Sequence, residues 1–348
     1  MSSIEIRTYE GDGSDLQELT NRSWRATVGG KALFPLWSQP YFQWRLLDPR
    51  GGGRDFLVAA YRGTKLVGCI LGEPLPFVVK GRNVQGTLSS WLTVDAQDPS
   101  PRTALMLLSN FRNRHREHGM SFSMGFNDAV SRRFWETLAK RPPHDMHVLD
   151  DVWMWTRIFD GRVVAEAGLT PGDRLVPVVA KLIPGLRPRP SSPVRGYLPE
   201  DLPRCREWLA EQGKGADVRI DWSDARLDVQ LNHPHARTIV LEEGGRAGFI
   251  NYYGIQLFGA RPVNVGMIDL FAGTLSFWQQ LALLETACRR MKEEGLHMTA
   301  MMKSQASPQA VLSVAGFMPY PANVNLFWFF VDPELRIEKP ARYHVLFG

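Results

Sequence analysis

Cysteine is scarce in this chain of 348 residues, which contains only 3. Cys69, Cys205 and Cys288 lie far apart and form no Cys-x-x-Cys pair, which excludes a zinc ribbon and a disulfide framework. Long apolar runs are also lacking, because no stretch approaches the roughly 20 residues that a membrane helix needs. Residues 1–10 are polar and contain no apolar signal-peptide core. We therefore expect a cytoplasmic protein with free thiols and no membrane partner.

Charge of one sign does not dominate the composition. The 41 Lys and Arg residues exceed the 36 Asp and Glu residues by 5. This excess permits an anionic small ligand but does not indicate a nucleic-acid partner. The histidine pairs His115/His118 and His233/His235 have no carboxylate or cysteine at a ligand spacing, so no metal site is predicted.

The order of predicted elements repeats along the chain. Each half shows a strand and a helix, then two strands joined by a tight turn, a further strand, and finally helix, strand, helix and strand. Matched landmarks keep a nearly constant offset, with Gly68 and Gly248 180 residues apart and Gly119 and Gly295 176 residues apart. An ordered series of matched elements predicts a duplicated unit.

A proline-rich segment separates the two halves. Residues 171–193 contain 6 prolines, each of which restricts the backbone and removes a hydrogen-bond donor. The sequence therefore predicts an N-terminal domain at 1–165, a linker at 166–193 and a C-terminal domain at 194–348. Limited proteolysis is expected to begin in this linker.

Three local motifs resemble the GNAT superfamily of acyl-CoA N-acyltransferases. The run MIDLF at 267–271 is similar to the fourth strand of that family, and AVLSVAGF at 310–317 is similar to its last helix. In the first half, NDA at 127–129 followed by a helix with an aromatic residue resembles the same region. The resemblance covers almost the whole chain twice. It implies an α+β fold of two tandem GNAT-like units, each a mixed, mostly antiparallel sheet flanked by helices.

The same resemblance implies where a donor would bind. In this family the pantetheine of the coenzyme lies between the splayed fourth and fifth strands, and the pyrophosphate lies at the start of the third helix, where N–H groups favour an anion. Acetyl-CoA or another acyl-CoA is therefore expected as the donor. Its predicted contacts are in the first half: Val94, Ser100, Arg102, Thr103, Ala104 and Asn127.

Both halves depart from the phosphate-binding signature of the family, Gln/Arg-x-x-Gly-x-Gly/Ala. An alignment without gaps places it at 99–104 and at 277–282, and only the final small residue is kept. The second half has Phe277 and Trp278 at this point, which are predicted to be core or interface residues. The first half is therefore the better candidate for coenzyme A.

Candidate catalytic groups are few. The tyrosine that many family members use as a general acid corresponds to Trp135 and Leu312, neither of which donates an acidic proton. Glu73, at the end of the third strand, and Asp95, after the fourth, are the candidates for a general base. The competing interpretation makes both of them solvated strand-end charges. Asp269 lies in an apolar strand, where an unpaired charge would be costly, so a buried structural partner is favoured over a base.

These observations predict an acyl-CoA-dependent N-acyltransferase that transfers an acetyl group to a small-molecule amine, and a homodimer is compatible with them. One alternative is a non-catalytic tandem GNAT-like protein that binds a ligand or a protein, which the altered phosphate loops favour. A second alternative is an aminoacyl transferase of the peptidoglycan-modifying type. The modest net charge argues against the charged tRNA that such an enzyme needs.

Overall fold

The computed structural model describes residues 3–97, 100–128, 130–141, 146–169, 175–182, 194–304, 307–335 and 342–346. The strands of the first half are β1 (Ile4–Thr8), β2 (Phe34–Leu36), β3 (Leu57–Arg62), β4 (Lys65–Val79), β5 (Arg82–Val94), β6 (Phe122–Asp128) and β7 (Met146–Ile158). Its helices are α1 (Ser14–Thr27), α2 (Gln39–Phe42), α3 (Pro101–Glu117), α4 (Arg132–Ala139), α5 (Gly161–Ala167) and α6 (Val176–Leu182). A π-helical segment, Gln43–Leu47, continues α2.

The second half contains the corresponding elements. Its strands are β8 (Val194–Gly196), β9 (Val218–Ile220), β10 (Ala236–Glu243), β11 (Arg246–Phe258), β12 (Pro262–Gly273), β13 (Met298–Met302), β14 (Met318–Phe330) and β15 (Tyr343–His344). Its helices are α7 (Leu202–Gln212), α8 (Asp224–Asn232), α9 (Phe277–Glu293) and α10 (Gln309–Val314).

The two halves share one sheet. The described strands form a 15-stranded sheet whose main path runs β1-β3-β4-β5-β6-β14-β7-β13-β12-β11-β10-β8. The last long strand of each half is exchanged: β14 lies between β6 and β7, and β7 pairs with β13. The predicted α+β class with two repeated units is confirmed, and the exchange joins their sheets. The predicted linker falls partly outside the described residues, so the domain boundaries stay a prediction.

The repeat is visible in the two longest helices. Both α3 and α9 span 17 residues. Gly119 and Gly295 follow them with φ of 66° and 80°, a conformation that glycine adopts without a steric penalty. The glycine landmarks in the sequence therefore mark equivalent helix ends.

Strand β4 continues beyond Glu73, which the sequence predicts to lie at its end, and passes through Pro74 and Pro76. It pairs with β3 only as far as Leu71 and with β9 only from Phe77, so the ladder on one edge is interrupted between them. The carbonyl of Pro76 points to that edge, where it accepts a hydrogen bond from Asp221 N at 2.8 Å. The nitrogen of Pro76 faces the same edge as its carbonyl, away from β5. The N–H that proline lacks would therefore not have bonded to β5.

The largest core contains side chains from both halves. The indole of Trp44, which is fully buried, donates a hydrogen bond to Val229 O at 3.0 Å. The rings of Tyr41 and Tyr253 lie 5.6 Å apart in the same core. Separate clusters form beneath α3 and beneath α9. Within the described ranges, no helix has the length and apolar character needed to cross a bilayer.

The strand exchange should keep the two halves together after the linker is cleaved. Limited proteolysis should cut first within residues 170–193, and the two fragments should then elute together from a size-exclusion column. They remain associated because β14 is hydrogen-bonded on both edges to strands of the other half. Fragments that separate without denaturant would contradict the exchanged arrangement.

Candidate functional site

A cleft opens in the first half where β5 and β6 part. The two strands pair in parallel from Gly86 with Phe122 to Ser89 with Gly125. Beyond this point β5 continues to Val94 and β6 to Asp128, and these described residues do not pair with each other. A bulge in β5 accompanies the divergence, and Trp91 within it has a φ of 60°. Bulges bend a strand and end pairing locally, which is how this sequence separates the strands.

Asn127 lies in β6 just beyond the last paired residues. Its side chain is buried, with 6% of the residue exposed. Neither Oδ1 nor Nδ2 has a hydrogen-bond partner among the described residues. A buried carboxamide with both groups unsatisfied is unfavourable, so this residue suits a ligand that both donates and accepts.

The start of α3 offers a hydroxyl and a cation. Ser100 is the N-cap residue, and its hydroxyl makes no capping hydrogen bond. Arg102 is exposed. The N–H groups of Thr103 and Ala104 both point to Ser100 O, at 3.0 and 3.4 Å. The side chain of Thr103 is buried against the sheet. An anion here would therefore rely on Ser100 and Arg102 more than on the predicted backbone donors.

A mostly apolar cavity of about 240 Å³ lies between α3 and α4. Leu105, Leu108, Trp135 and Phe327 contribute to its walls, and Ser89 and Ser123 contribute hydroxyl groups.

These hydroxyls belong to a buried chain of hydrogen bonds. Ser123 Oγ lies 2.7 Å from Ser89 Oγ and 2.8 Å from Thr87 Oγ1, which lies 2.8 Å from His115 Nε2. Burial lowers the pKa of His115 to about 4, so its ring is neutral near pH 7. The chain holds Ser89 in place at the point where the strands part.

The second half contains an equivalent divergence between β12 and β13. Their parallel pairing ends at Ile268 with Met301, while β12 continues to Gly273. Asp269 is the extra residue of a bulge in β12. It lines a small cavity of about 20 Å³ at the divergence.

The helix that follows this second cleft is capped by its own residues. Ser276 and Gln279 bond reciprocally at the start of α9, which uses N–H groups that a phosphate would need. Trp278 is 67% exposed, which excludes a core position, so the interface position that the sequence also allowed stays a prediction. The alignment without gaps is also wrong by two residues, because the equivalent helices begin at Pro101 and Phe277. The loop before the second helix is shorter.

Comparison with solved structures identifies this arrangement. Saccharomyces cerevisiae N-myristoyltransferase with bound myristoyl-CoA superposes with a TM-score of 0.74 and 16% identity, covering 98% of this chain and 84% of that chain. The same enzyme with bound myristoyl-CoA and inhibitors superposes with a TM-score of 0.72 and 16% identity, covering 100% and 87%. The chain has the tandem GNAT-like fold. No protein-family model and no curated protein sequence matches it.

Four buried charges connect the two GNAT-like units. Glu73 Oε2 accepts a hydrogen bond from Arg45 Nη2 at 2.9 Å, and its Oε1 accepts one from Arg226 Nε at 2.6 Å. Arg45 Nη1 also reaches Asp269 Oδ2, at 3.3 Å. Arg45 and Glu73 belong to the first unit, and Arg226 and Asp269 to the second. These four residues form the central charge cluster.

Glu73 is therefore not a solvated strand-end charge, as one interpretation of the sequence had it. It lies within β4 and is 2% exposed. Burial raises the pKa of Glu73, but Arg226 and Arg45 outweigh burial and hold that pKa below its ordinary value. Both carboxylate oxygens are occupied, so a role as general base stays a prediction that this geometry does not favour.

Asp95 is likewise buried and paired. Its Oδ2 lies 2.9 Å from Lys65 Nζ and 3.2 Å from Arg22 Nη2. Its Oδ1 accepts a hydrogen bond from Gln97 N at 3.0 Å. Burial raises the pKa of Asp95, but the Gln97 N–H and the two cations outweigh it and lower that pKa. The solvated interpretation is wrong here too, and the role of base is again only a prediction.

Sequence reasoning missed the two arginines of the central charge cluster. Arg45 follows a run of aromatic residues, and Arg226 lies 153 residues beyond Glu73. No local spacing joins them. The one available signal was Asp269 itself, whose position in an apolar strand indicated a buried partner. Within the described ranges, no group of three or more His, Cys, Asp or Glu could hold a metal ion.

Removing the Glu73 charge should destabilise the fold. Glu73→Gln leaves Arg45 and Arg226 buried with one carboxylate fewer, which should lower the free energy of unfolding by about 3–5 kcal/mol. The difference in unfolding free energy between the wild type and this variant should shrink in acid. A carboxylate whose pKa is lowered on folding stabilises the fold at pH values above its ordinary pKa of 4.5. That stabilisation is lost as the pH falls through the pKa of the folded state. Urea unfolding at pH 7 and in acid measures both.

The matched control is Glu334→Gln, which removes an exposed glutamate 3.4 Å from Arg82. It should change the free energy of unfolding by less than about 1 kcal/mol. Equal effects of the two substitutions would show that the cluster does not hold the units together.

Proposed function

We propose that this protein is an acyl-CoA-dependent N-acyltransferase that transfers an acyl group to a primary amine. The observation that carries the proposal is Asn127, whose buried carboxamide lacks partners among the described residues at the point where β5 and β6 part. The amide groups of pantetheine would supply one donor and one acceptor there. The structurally similar N-myristoyltransferase was solved with an acyl-CoA, myristoyl-CoA, which supports a donor of this class.

The transfer needs no covalent enzyme intermediate. The amine nitrogen attacks the thioester carbon, the C–N bond forms as the C–S bond breaks, and the thiolate leaves with a proton from the amine. The protein contributes by holding donor and acceptor together in a site that excludes water. In this proposal Ser100 and Arg102 bind the donor phosphates, and Val94 and Asn127 border its pantetheine arm.

The cavity between α3 and α4 favours a donor with an apolar chain. Its volume of about 240 Å³ exceeds the needs of an acetyl group, and each methylene that it buries would contribute about 0.8 kcal/mol. Acetyl transfer to a small-molecule amine, which the sequence suggested, is the narrower alternative. Calorimetric titration with free coenzyme A, acetyl-CoA, octanoyl-CoA and myristoyl-CoA distinguishes a long-chain donor from an acetyl donor. If the cavity binds the acyl chain, affinity should rise with chain length.

A non-catalytic binding protein is the second candidate. The occupied oxygens of Glu73 and Asp95 favour it, because neither residue offers a free base. This candidate predicts acyl-CoA binding without release of free thiol when amines are added. Tight binding of acyl-CoA together with amine-dependent thiol release would exclude it.

Replacing Asn127 should separate ligand binding from stability. Asn127→Leu removes both amide groups while keeping the branched shape and the number of side-chain heavy atoms, and it should weaken acyl-CoA binding about tenfold, through the loss of bonds worth roughly 0.5–1.5 kcal/mol each. The melting temperature of the unliganded protein should stay constant or rise, because the amide has no described partner there. A lower melting temperature with unchanged affinity would assign Asn127 a structural role. Calorimetry and thermal denaturation give both values.

Arg102 provides a second test of the donor site. Arg102→Ala should weaken coenzyme A binding about ten- to a hundredfold, as expected for a charge-assisted hydrogen bond to phosphate. Trp278→Ala, at the equivalent helix start of the second unit, is the control and should leave affinity unchanged. If Arg102→Gly instead tightens binding, the arginine obstructs the site and the donor lies elsewhere.

A further inference from the structure

The cavity of about 240 Å³ between α3 and α4 has two different ends. Ser89 and Phe327 border one end, and both pair with Gly125 at the last paired position before β5 and β6 part. Phe329 borders the other end, where it pairs with Ser123. The rise along a strand separates Phe327 from Phe329 by about 7 Å. The cavity therefore runs from the donor cleft, at its cleft end, along the paired strands to its far end at Phe329.

Two arginines line the far end. Arg112 lies two turns beyond Leu105 on the same face of α3, and its Cζ is 4.8 Å from the centre of the Phe329 ring. The rise along a helix places Arg112 about 10 Å further along α3 than Leu105. Arg141 follows α4, which leads from the end of β6 back toward β7 at Met146, the residue that pairs with Phe329. Both cations therefore lie on the side of the cavity away from the donor cleft.

The charges around the cavity favour an anion. Its described lining contains these two arginines and no Asp or Glu, while the other side chains are apolar or serine. Residues 100–141, which include both helices, contain 8 Lys and Arg but only 3 Asp and Glu, a difference equal to the formal net charge of +5 of the whole chain. A guanidinium carries five N–H donors in a planar fork that fits a carboxylate. A ligand with a carboxylate at the far end would therefore match this lining better than one with a methyl group.

We propose that the donor carries a dicarboxylic acyl group, whose thioester lies at the cleft end and whose terminal carboxylate binds Arg112 and Arg141 at the far end. The inference rests on the proposed acyl transfer and names the class of its donor. The terminal carboxylate takes no part in the bond changes. The C–N bond still forms at the thioester carbon as the C–S bond breaks, and the thiolate leaves with a proton from the amine. The product is an amide that ends in a carboxylate.

The distance between the two ends sets the length of the chain. An extended chain advances about 1.2 Å per bond. The separation of about 7–10 Å between the ends therefore spans roughly six to eight bonds. A suberyl group, with about eight carbons, fits this span and places its methylenes against Leu108, Trp135 and Phe327. The two arginines then determine which donor binds, and neither touches the reacting atoms.

Esters without coenzyme A test the far end directly. Monomethyl suberate and methyl octanoate have the same ester and the same chain length, but only the first ends in a carboxylate. Calorimetric titration into the full-length protein at pH 7.5 should show that monomethyl suberate binds about ten- to a hundredfold more tightly, as expected for hydrogen bonds between charged groups.

Substitution of the arginines should remove this preference. Arg141→Gln, at an exposed position, should lower the ratio of the two affinities about tenfold and leave methyl octanoate binding unchanged. Arg141→Lys retains the charge and should keep part of the preference. Arg112→Gln should have the larger effect, because Arg112 is partly buried. The control is Arg116→Gln on the same helix, an exposed arginine outside the described lining, which should leave the ratio unchanged.

Equal affinities of the wild type for the two esters, or binding of neither, overturn the proposal. A ratio that is unchanged in Arg141→Gln overturns it too, and this exposed position keeps the test available if Arg112→Gln does not fold. Titration with suberyl-CoA and octanoyl-CoA reports separately on the proposed function. If neither thioester binds while monomethyl suberate does, the proposed acyl transfer is wrong and the carboxylate site remains. If octanoyl-CoA binds as tightly as suberyl-CoA, acyl transfer remains and the dicarboxylic donor is wrong.

Discussion

The buried ion pairs of the central charge cluster are the constraint on which the arrangement of the two units depends. Two arginines and two carboxylates lie in a region from which water is excluded, and each unit supplies one charge of each sign. Removing charges from water is costly, so each buried charge of this set depends on its partner of opposite sign. Neither unit alone could bury its own pair of charges in this geometry. The cluster therefore favours one relative position of the two halves.

The strand exchange also favours one relative position of the two halves, through backbone hydrogen bonds. Because β14 lies between β6 and β7, the last strand of each half completes the sheet beside the other half. The divergences at β5/β6 and β12/β13 are thus two features of one continuous sheet. Backbone pairing sets the distance between the two clefts. The central charge cluster determines which charged side chains meet between the two units.

The sequence was sufficient to predict the repeat, the fold class and the fold family, because these depend on local patterns. Glycines after equivalent helices and tight turns between strands recur at nearly fixed offsets. The surroundings of Glu73 could not be predicted. The sequence predicted Glu73 to lie at the end of a strand, but β4 continues through Pro74 and Pro76 because the ladder on one of its edges is interrupted there. The partner Arg226 comes from the other unit, and no spacing in a single sequence records such a contact.

The two copies of the unit differ in the side chain at their bulges. In the first, Trp91 adopts a strained positive φ and its ring packs 5.2 Å from that of Trp37 in the largest core. In the second, Asp269 occupies the bulge and presents a carboxylate to a cavity. A bulge re-aims whichever side chain it contains. The two repeated units therefore contain the same kind of bulge with a different side chain in each, an aromatic ring in the first and a carboxylate in the second.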